Sequence, residues 1–446
     1  MDKELFSLTG NSYDYKKVKG QTINDRYLDF NTWSESRKRD GVWPFSKTFT
    51  TKPDIVVKAH SNYDLEIFEY VNFGSQDYLS LSNHPNVISV AANAINKFGI
   101  HSAGSAILTG RSSLANDLEI RLAKIFKTDQ CLLFTSGWMA CFGAIAGLAT
   151  EGDYILQDIL SHNCLDVASH YISKNVSRFR HNDTDDLERK LIYISGKSPE
   201  SCIFIVTESL FSMNSDSPDI NKLIELKTKY NAILIIDIAH DFGSMGEYGF
   251  GLLEDMESGD LENVVIIGSF SKTFSANGGF VAGQSSIRER LTFFAPTYTF
   301  SNAIAPMQCA VANKCLDIVL SEEGKTLRSK LMSNVMYMRK KLIENGFKVN
   351  GKPSPIIPVL IDNVSVARIM SLKLTEAGYI FNLIEYPAVP KGQALFRLQM
   401  MAAYSFSLLD AAFENFLNAY NASALVGLPQ ANRELFPGIS TNLIPL

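Results

Sequence analysis

The sequence predicts an α/β protein: a large, mainly parallel sheet covered by helices, followed by a small C-terminal α+β unit. Three observations predict it. Short apolar runs at Cys131–Phe134, Tyr154–Leu156, Ile203–Val206, Ile233–Ile236, Val264–Ile267 and Phe280–Ala282 alternate with helical patterns. These runs are nearly continuous in Val, Ile and Leu, as strands buried on both faces are. Beyond residue 302 the pattern changes to a long helical stretch reaching about residue 345 and then to a second, smaller set of strands and helices.

The first 71 residues are charged and aromatic, with weak periodicity and helical patches over residues 11–40. They are expected to form an N-terminal arm. From residue 72 the periodicity sharpens. Asn83-His84-Pro85 reads as a helix start, with proline near the first helical position, and Gly99 ends that helix. Leu114, Leu118, Leu122, Ile125 and Phe126 mark a second helix. Helices are expected at 138–149, 163–172, 184–194 and 219–229, between the apolar runs. Past the long helical stretch, strands are expected at Ile356–Ile361, Tyr379–Leu383 and Leu395–Gln399, with helices at 365–377 and 406–420. The resulting domain reading is arm 1–71, large domain 72–305, small domain 306–425 and extended tail 426–446.

Bulk composition narrows the function. Of 446 residues, 46% are apolar and 20% charged, and 42 Lys and Arg against 47 Asp and Glu leave a net charge of −5. That balance gives no electrostatic reason to expect nucleic acid or an anionic membrane as partner. No apolar stretch is long enough to span a bilayer, and the polar N-terminus has no secretory h-region. The cysteines at 131, 141, 164, 202, 309 and 315 form no CxxC pair and no zinc-type spacing, so no metal is expected. Together these features place the chain in the reducing cytoplasm.

The chemistry-bearing residues sit where apolar runs end. Val264–Ile267 leads into Gly268-Ser269-Phe270-Ser271-Lys272, with Gly278-Gly279 behind. A lysine there lies near the carboxyl edge of the sheet, where open α/β sheets bind ligands. Its amine can form a Schiff base with a carbonyl cofactor, and the flanking hydroxyls can donate to phosphate. A surface lysine in a loop fits that segment equally well. Ile233–Ile236 ends in Asp237-Ile238-Ala239-His240. A buried aspartate requires a cation, and the pyridinium nitrogen of pyridoxal phosphate is one; a carboxylate capping a turn is the other reading. Ser136-Gly137-Trp138 opens a helix after a strand, which suits a phosphate. Gln157-Asp158 leads to His162, and Val206-Thr207 leads to Glu208 and Ser212.

The order of these signals is more specific than any one of them. It resembles the fold-type I pyridoxal phosphate enzymes, and within them the α-oxoamine synthases. The resemblance runs from Asn72-Phe73-Gly74-Ser75-Gln76-Asp77-Tyr78-Leu79 to about Tyr404. It includes Arg178-Phe179-Arg180-His181-Asn182-Asp183, Glu208 through Ser212, Gly268 through Gly279 and Val389-Pro390-Lys391-Gly392-Gln393.

The resemblance implies pyridoxal 5'-phosphate as cofactor, tethered at Lys272. It implies that His162 stacks on the ring, Asp237 meets its nitrogen and His240 its phenolic oxygen. Ser136, Gly137, Trp138, Ser269 and Ser271 would surround the phosphate, with Glu208 and Ser212 nearby, and Arg397 would grip the substrate carboxylate. The implied reaction is decarboxylative condensation of glycine, alanine or serine with an acyl-CoA or acyl carrier protein thioester, in a homodimer. An aminotransferase or a β-hydroxy amino acid aldolase would use the same lysine and aspartate. A non-catalytic partner subunit would typically lack the lysine.

Four departures concern the substrate pocket. Alanine stands in Gly104-Ser105-Ala106-Ile107-Leu108 where relatives often carry arginine. The Asp-Glu-Ala-His pattern reads Asp-Ile-Ala-His, Tyr404-Ser405 replaces His-Thr, and Ala303 replaces a serine. With the aromatic N-terminal arm, they favour a specialised product over a primary metabolite.

Overall fold

The computed structural model describes residues 6–197, 201–257 and 259–426. In chain order its strands are β1 (Thr48–Phe49), β2 (Val56–His60), β3 (Phe68–Asn72), β4 (Gln130–Phe134), β5 (Tyr154–Asp158), β6 (Asn175–Phe179), β7 (Ile203–Glu208) and β8 (Ile233–Asp237). They continue with β9 (Val264–Ser269), β10 (Gly279–Gly283), β11 (Lys348–Val349), β12 (Ile356–Ile361), β13 (Tyr379–Ile380), β14 (Asn382–Glu385) and β15 (Ala394–Gln399).

The large sheet has the order β4-β10-β9-β8-β7-β5-β6. The four contacts among β5 to β9 are parallel, and β10 runs antiparallel between β4 and β9. The Val/Ile runs belong to strands covered on both faces. Successive residues go to opposite sides: Ile205, Leu234 and Ile266 enter one apolar cluster, and Val206, Ile235 and Val265 the other. Full burial of each such side chain contributes roughly 1.5–3 kcal/mol, so the sheet dominates the stability of this half.

Helices cover it where the periodicity placed them, at Gly137–Leu148, Asn163–Ile172, Thr184–Ser195 and Ile220–Lys229. Ser136, His162, Asp183 and Asp219 cap their first turns, each side chain accepting a backbone N–H. β6 was not expected. It is an edge strand in which only Phe179 is fully buried, so its hydropathy carries no strand signature.

The long helical stretch after residue 302 divides into Pro306–Val319 and Glu322–Glu344, the second capped by Ser321. The small unit is the antiparallel sheet β11-β12-β15-β14 packed with helices Val364–Glu376 and Phe406–Val426. The segment expected as an arm is more structured than its periodicity indicated. Its helix Ile23–Arg39 sends Arg37 to Glu385, a carboxylate that Arg368 also holds. Its strands β1, β2 and β3 form a third sheet closed by β13, which pairs in parallel with β3. Val426, expected to begin an extended tail, instead ends the last helix, and the rest of that tail, residues 427–446, lies outside the described residues.

Candidate active site

β4, β5, β7, β8 and β9 all end at one edge of the large sheet, since β4 and β9 share a direction opposite to β10. That edge collects Ser136, His162, Glu208, Asp237, Ser269 and Lys272.

A phosphate cradle forms where the turn after β4 meets the end of β9. Ser136 caps the helix that Gly137 opens, which leaves first-turn N–H groups free to meet an anion. The Ser269 and Ser271 hydroxyls lie 2.7 Å apart beside it. The approach is possible only for glycine. A Cβ on Gly137 would stand 2.6 Å from Ser269 Cβ, and one on Gly279 would stand 2.7 Å from Gly137 Cα. Trp138 turns its ring outward, stacked on Phe142 at 5.4 Å, so its backbone N–H is the part that belongs to the helix start.

The residues for a pyridine ring lie next to the cradle. Asp237 is buried at the end of β8, where its carboxylate accepts from the Ala239 N–H at 2.9 Å and the Cys141 thiol at 3.3 Å. Neither donor is a cation, so this buried carboxylate suits a protonated ring nitrogen. His240 is buried and packed near Lys272 and Arg397. Burial first, then those positive charges, hold it well below its ordinary pKa, so it is neutral. Tyr78 Oη sits 2.9 Å from His240 Nδ1, and burial raises the phenol, which therefore keeps its proton and donates. The imidazole proton is thereby assigned to Nε2, a donor suited to a phenolate oxygen.

His162 has its backbone N–H on Glu208 Oε1 at 2.5 Å, and its Nδ1 lies 2.8 Å from Cys164 Sγ. The contact with Cys164 raises the imidazole against burial. Glu208 is buried next to Asp237 in the register of β7 and β8. Burial, then the Asp237 charge, push its carboxyl well above the usual range, so it is protonated. Ser212 is buried on the loop after β7. Lys272 is half-buried, one residue past Ser271.

Arg397 comes from the other unit, on β15. Its Nε is buried without a hydrogen-bond partner, and its Nη1 reaches the Met213 sulfur at 3.9 Å. Burial lowers its pKa, with Tyr78 opposing. A guanidinium held this way is short of an anion.

The structure thus gathers His162, Asp237, His240, Lys272 and the serines at one edge, with Arg397 facing them through Met213 and Tyr78. Three residues of this neighbourhood carried no role in the sequence reading. Tyr78 lies in the Asn72–Leu79 motif, which could have flagged it. Cys141 and Cys164 had no local signal; their thiols and the Asp237 carboxylate lie within 4.8 Å of one another. The contact with Cys141, then His162, pulls the Cys164 thiol down to about 6 against burial.

The family model for aminotransferase class I and II matches residues 69–416, which span every one of these groups. The chain belongs to this family. Among its relatives is a serine palmitoyltransferase of Sphingobacterium spiritivorum, 30% identical over 91% of this chain and 98% of its own. Another is a putative 8-amino-7-oxononanoate synthase of Bacillus licheniformis, 34% identical over 78% of this chain and 90% of its own. The solved structure of Sphingomonas wittichii serine palmitoyltransferase superposes with a TM-score of 0.82 at 25% identity, covering 91% of this chain and all of that one. Within the class I and II family the chain is an α-oxoamine synthase, an enzyme of fold type I. Its cofactor is pyridoxal 5'-phosphate. The cradle, the cation-less Asp237 and the Nε2–H of His240 fit that cofactor.

Proposed function

We propose that this synthase joins glycine, alanine or serine to an acyl thioester, releasing CO2 and the free thiol and leaving an α-amino ketone. The observation that carries the reading is Arg397, a half-buried guanidinium whose Nε is buried without a hydrogen-bond partner. A planar fork of N–H donors suits the amino acid's carboxylate. When bound, the cofactor supplies the electron sink that makes a bond at Cα labile. Lys272 would hold the cofactor, and its Nζ would take the Cα proton of the amino acid. Asp237 keeps the proton on the ring nitrogen. His240 donates Nε2–H to the ring oxygen, and His162, fixed by Glu208, covers the ring. Ser136, Gly137, Trp138, Ser269 and Ser271 hold the phosphate, and Ser212 lines the loop beside it.

The thioester carrier is CoA or an acyl carrier protein. The enzyme is a homodimer of the cytoplasm in this reading. Support for the dimer comes from Ile100, Leu108 and Phe300, exposed on two segments joined by the Ser105–Asn302 bridge near the site. Support for a reducing compartment comes from six free cysteines. Among the described residues no helix is long and apolar enough to cross a membrane. The division into arm, large domain, small domain and tail is retained as a proposal for limited proteolysis to test.

The test is an assay of free thiol and CO2 with the three amino acids against a thioester panel, with Lys272→Ala alongside. Wild type is expected to show a visible cofactor band and stoichiometric thiol and CO2, and the variant neither. Keto-acid exchange without thiol release would assign transamination instead. Full activity in Lys272→Ala would sink the reading.

A further inference from the structure

His181 stands outside the residues that touch cofactor or substrate, yet it joins the loops that carry them. It comes after β6 on a tight turn in which Asn182 adopts a left-handed φ of 54°. Its Nδ1 lies 2.9 Å from Asp158 Oδ1 and its Nε2 lies 3.0 Å from Asp216 Oδ2. Asp158 is the fully buried last residue of β5. It also accepts the Leu160 and Asn182 N–H groups, each at 2.9 Å, and so shapes the turn that ends in His162. Asp216 lies on the loop after β7, and its carbonyl accepts the Phe211 N–H at 2.9 Å. The imidazole and the Phe211 ring pack perpendicular to each other, with centroids 4.5 Å apart. That loop begins at Glu208, which holds the His162 N–H, and contains Met213, which touches Arg397.

We propose that His181 is a positioning residue, a doubly protonated clasp between Asp158 and Asp216 that fixes His162 and the Glu208–Met213 loop for the proposed reaction. It rests on the cofactor-site reading above. Both ring nitrogens face carboxylates, and a neutral imidazole has one N–H, so it would turn a lone pair toward one of the two anions. Asn182 agrees. Its Oδ1 is buried without a partner while its Nδ2 lies 3.3 Å from His181 Nε2; turning the amide over presents the oxygen to Nε2–H. Burial opposes the charge, but the hydrogen bonds and charges of Asp158 and Asp216 outweigh it and raise the imidazole to about 9. The other charged groups of this turn are engaged outward: Arg180 pairs with Asp183 at 2.7 Å and Arg178 with Asp166 at 2.5 Å.

The test has two arms. In wild-type holoenzyme, histidine-selective nitrogen NMR is expected to show one of the seven histidines doubly protonated at pH 8, its signal absent from His181→Gln. The absence of any doubly protonated histidine in wild type at pH 8, or a doubly protonated signal that persists in His181→Gln, overturns the proposal. In the second arm His181→Gln is expected to weaken cofactor affinity and kcat/KM for the amino acid about tenfold or more. Adding Asp216→Asn, which removes the stranded carboxylate, is expected to recover most of that loss. A packing role would not be rescued this way, so no recovery, or no loss at all, overturns the clasp. If wild type itself takes up no pyridoxal phosphate, the functional reading falls, and the same NMR measurement on the cofactor-free protein decides the charge of His181.

Discussion

Arg397, with its Nε buried and unpartnered, and the buried Asp237 each have a need that the described residues leave unmet, one for an anion and one for a cation. Arg397→Lys keeps the charge but loses the fork, so KM for the amino acid is expected to rise about 10-fold to 100-fold, with kcat changed less; steady-state kinetics check it. Asp237→Asn keeps the hydrogen bond to Ala239 and loses the negative charge. Its activity is expected to fall on the order of 100-fold or more while the cradle still retains phosphate affinity, which cofactor titration separates from turnover. His181 sets a pH limit. Its folded pKa is raised to about 9, above the unfolded value near 6.5. Its contribution is therefore complete below about 6.5 and is lost as pH rises through about 9, so thermal stability is expected to decline across that window and His181→Gln to flatten the decline. Residues that end an apolar run, such as Asp237 and Lys272, were legible because chemistry and position coincide locally. Tyr78 and Cys141 were not, because their partners His240 and Asp237 lie 162 and 96 residues away.

At the scale of elements, the meeting of β4, β9 and β10 is the tightest packing at the site. Gly137→Ala or Gly279→Ala places a methyl group within 2.7 Å of an adjoining segment, which must then shift. A loss of about 1–3 kcal/mol is expected, together with weaker cofactor retention, read by thermal melting and dialysis. The strands of the sheet centre were legible because both faces are buried and hydropathy reports that directly. β6 escaped because an edge strand needs no apolar run, although its Arg178-Phe179 lay within a recognised motif. β1, β2 and β3 escaped for a related reason. Their burial alternates or is slight, as in Val56–His60, and their pairing partner β13 lies some three hundred residues on.

For the whole molecule, the exposed Leu108 and Phe300 mark where a second copy is expected. Leu108→Asp with Phe300→Asp is expected to yield monomers with little activity, measured by analytical ultracentrifugation and assay, while melting of the sheet domain changes little. A dimer that survives both changes would locate the interface elsewhere.

The pairing of β3 with β13 has a mechanical consequence. Beyond β3 the chain stays tied to β15 and to the turn after that strand: the Gln399 N–H donates to the Phe73 carbonyl at 2.9 Å, the Gln399 side chain to Gly74 at 2.8 Å, and the Ala402 N–H to the Tyr78 carbonyl at 2.8 Å. Residues 68–78 therefore ride with the strand that bears Arg397, although they enter the chain three hundred residues earlier. Tyr78 ends that tied segment, and its hydroxyl lies 2.9 Å from His240 Nδ1 at the edge of the large sheet. One hydrogen-bonded framework thus holds both the strand of Arg397 and the phenol that sets the His240 tautomer.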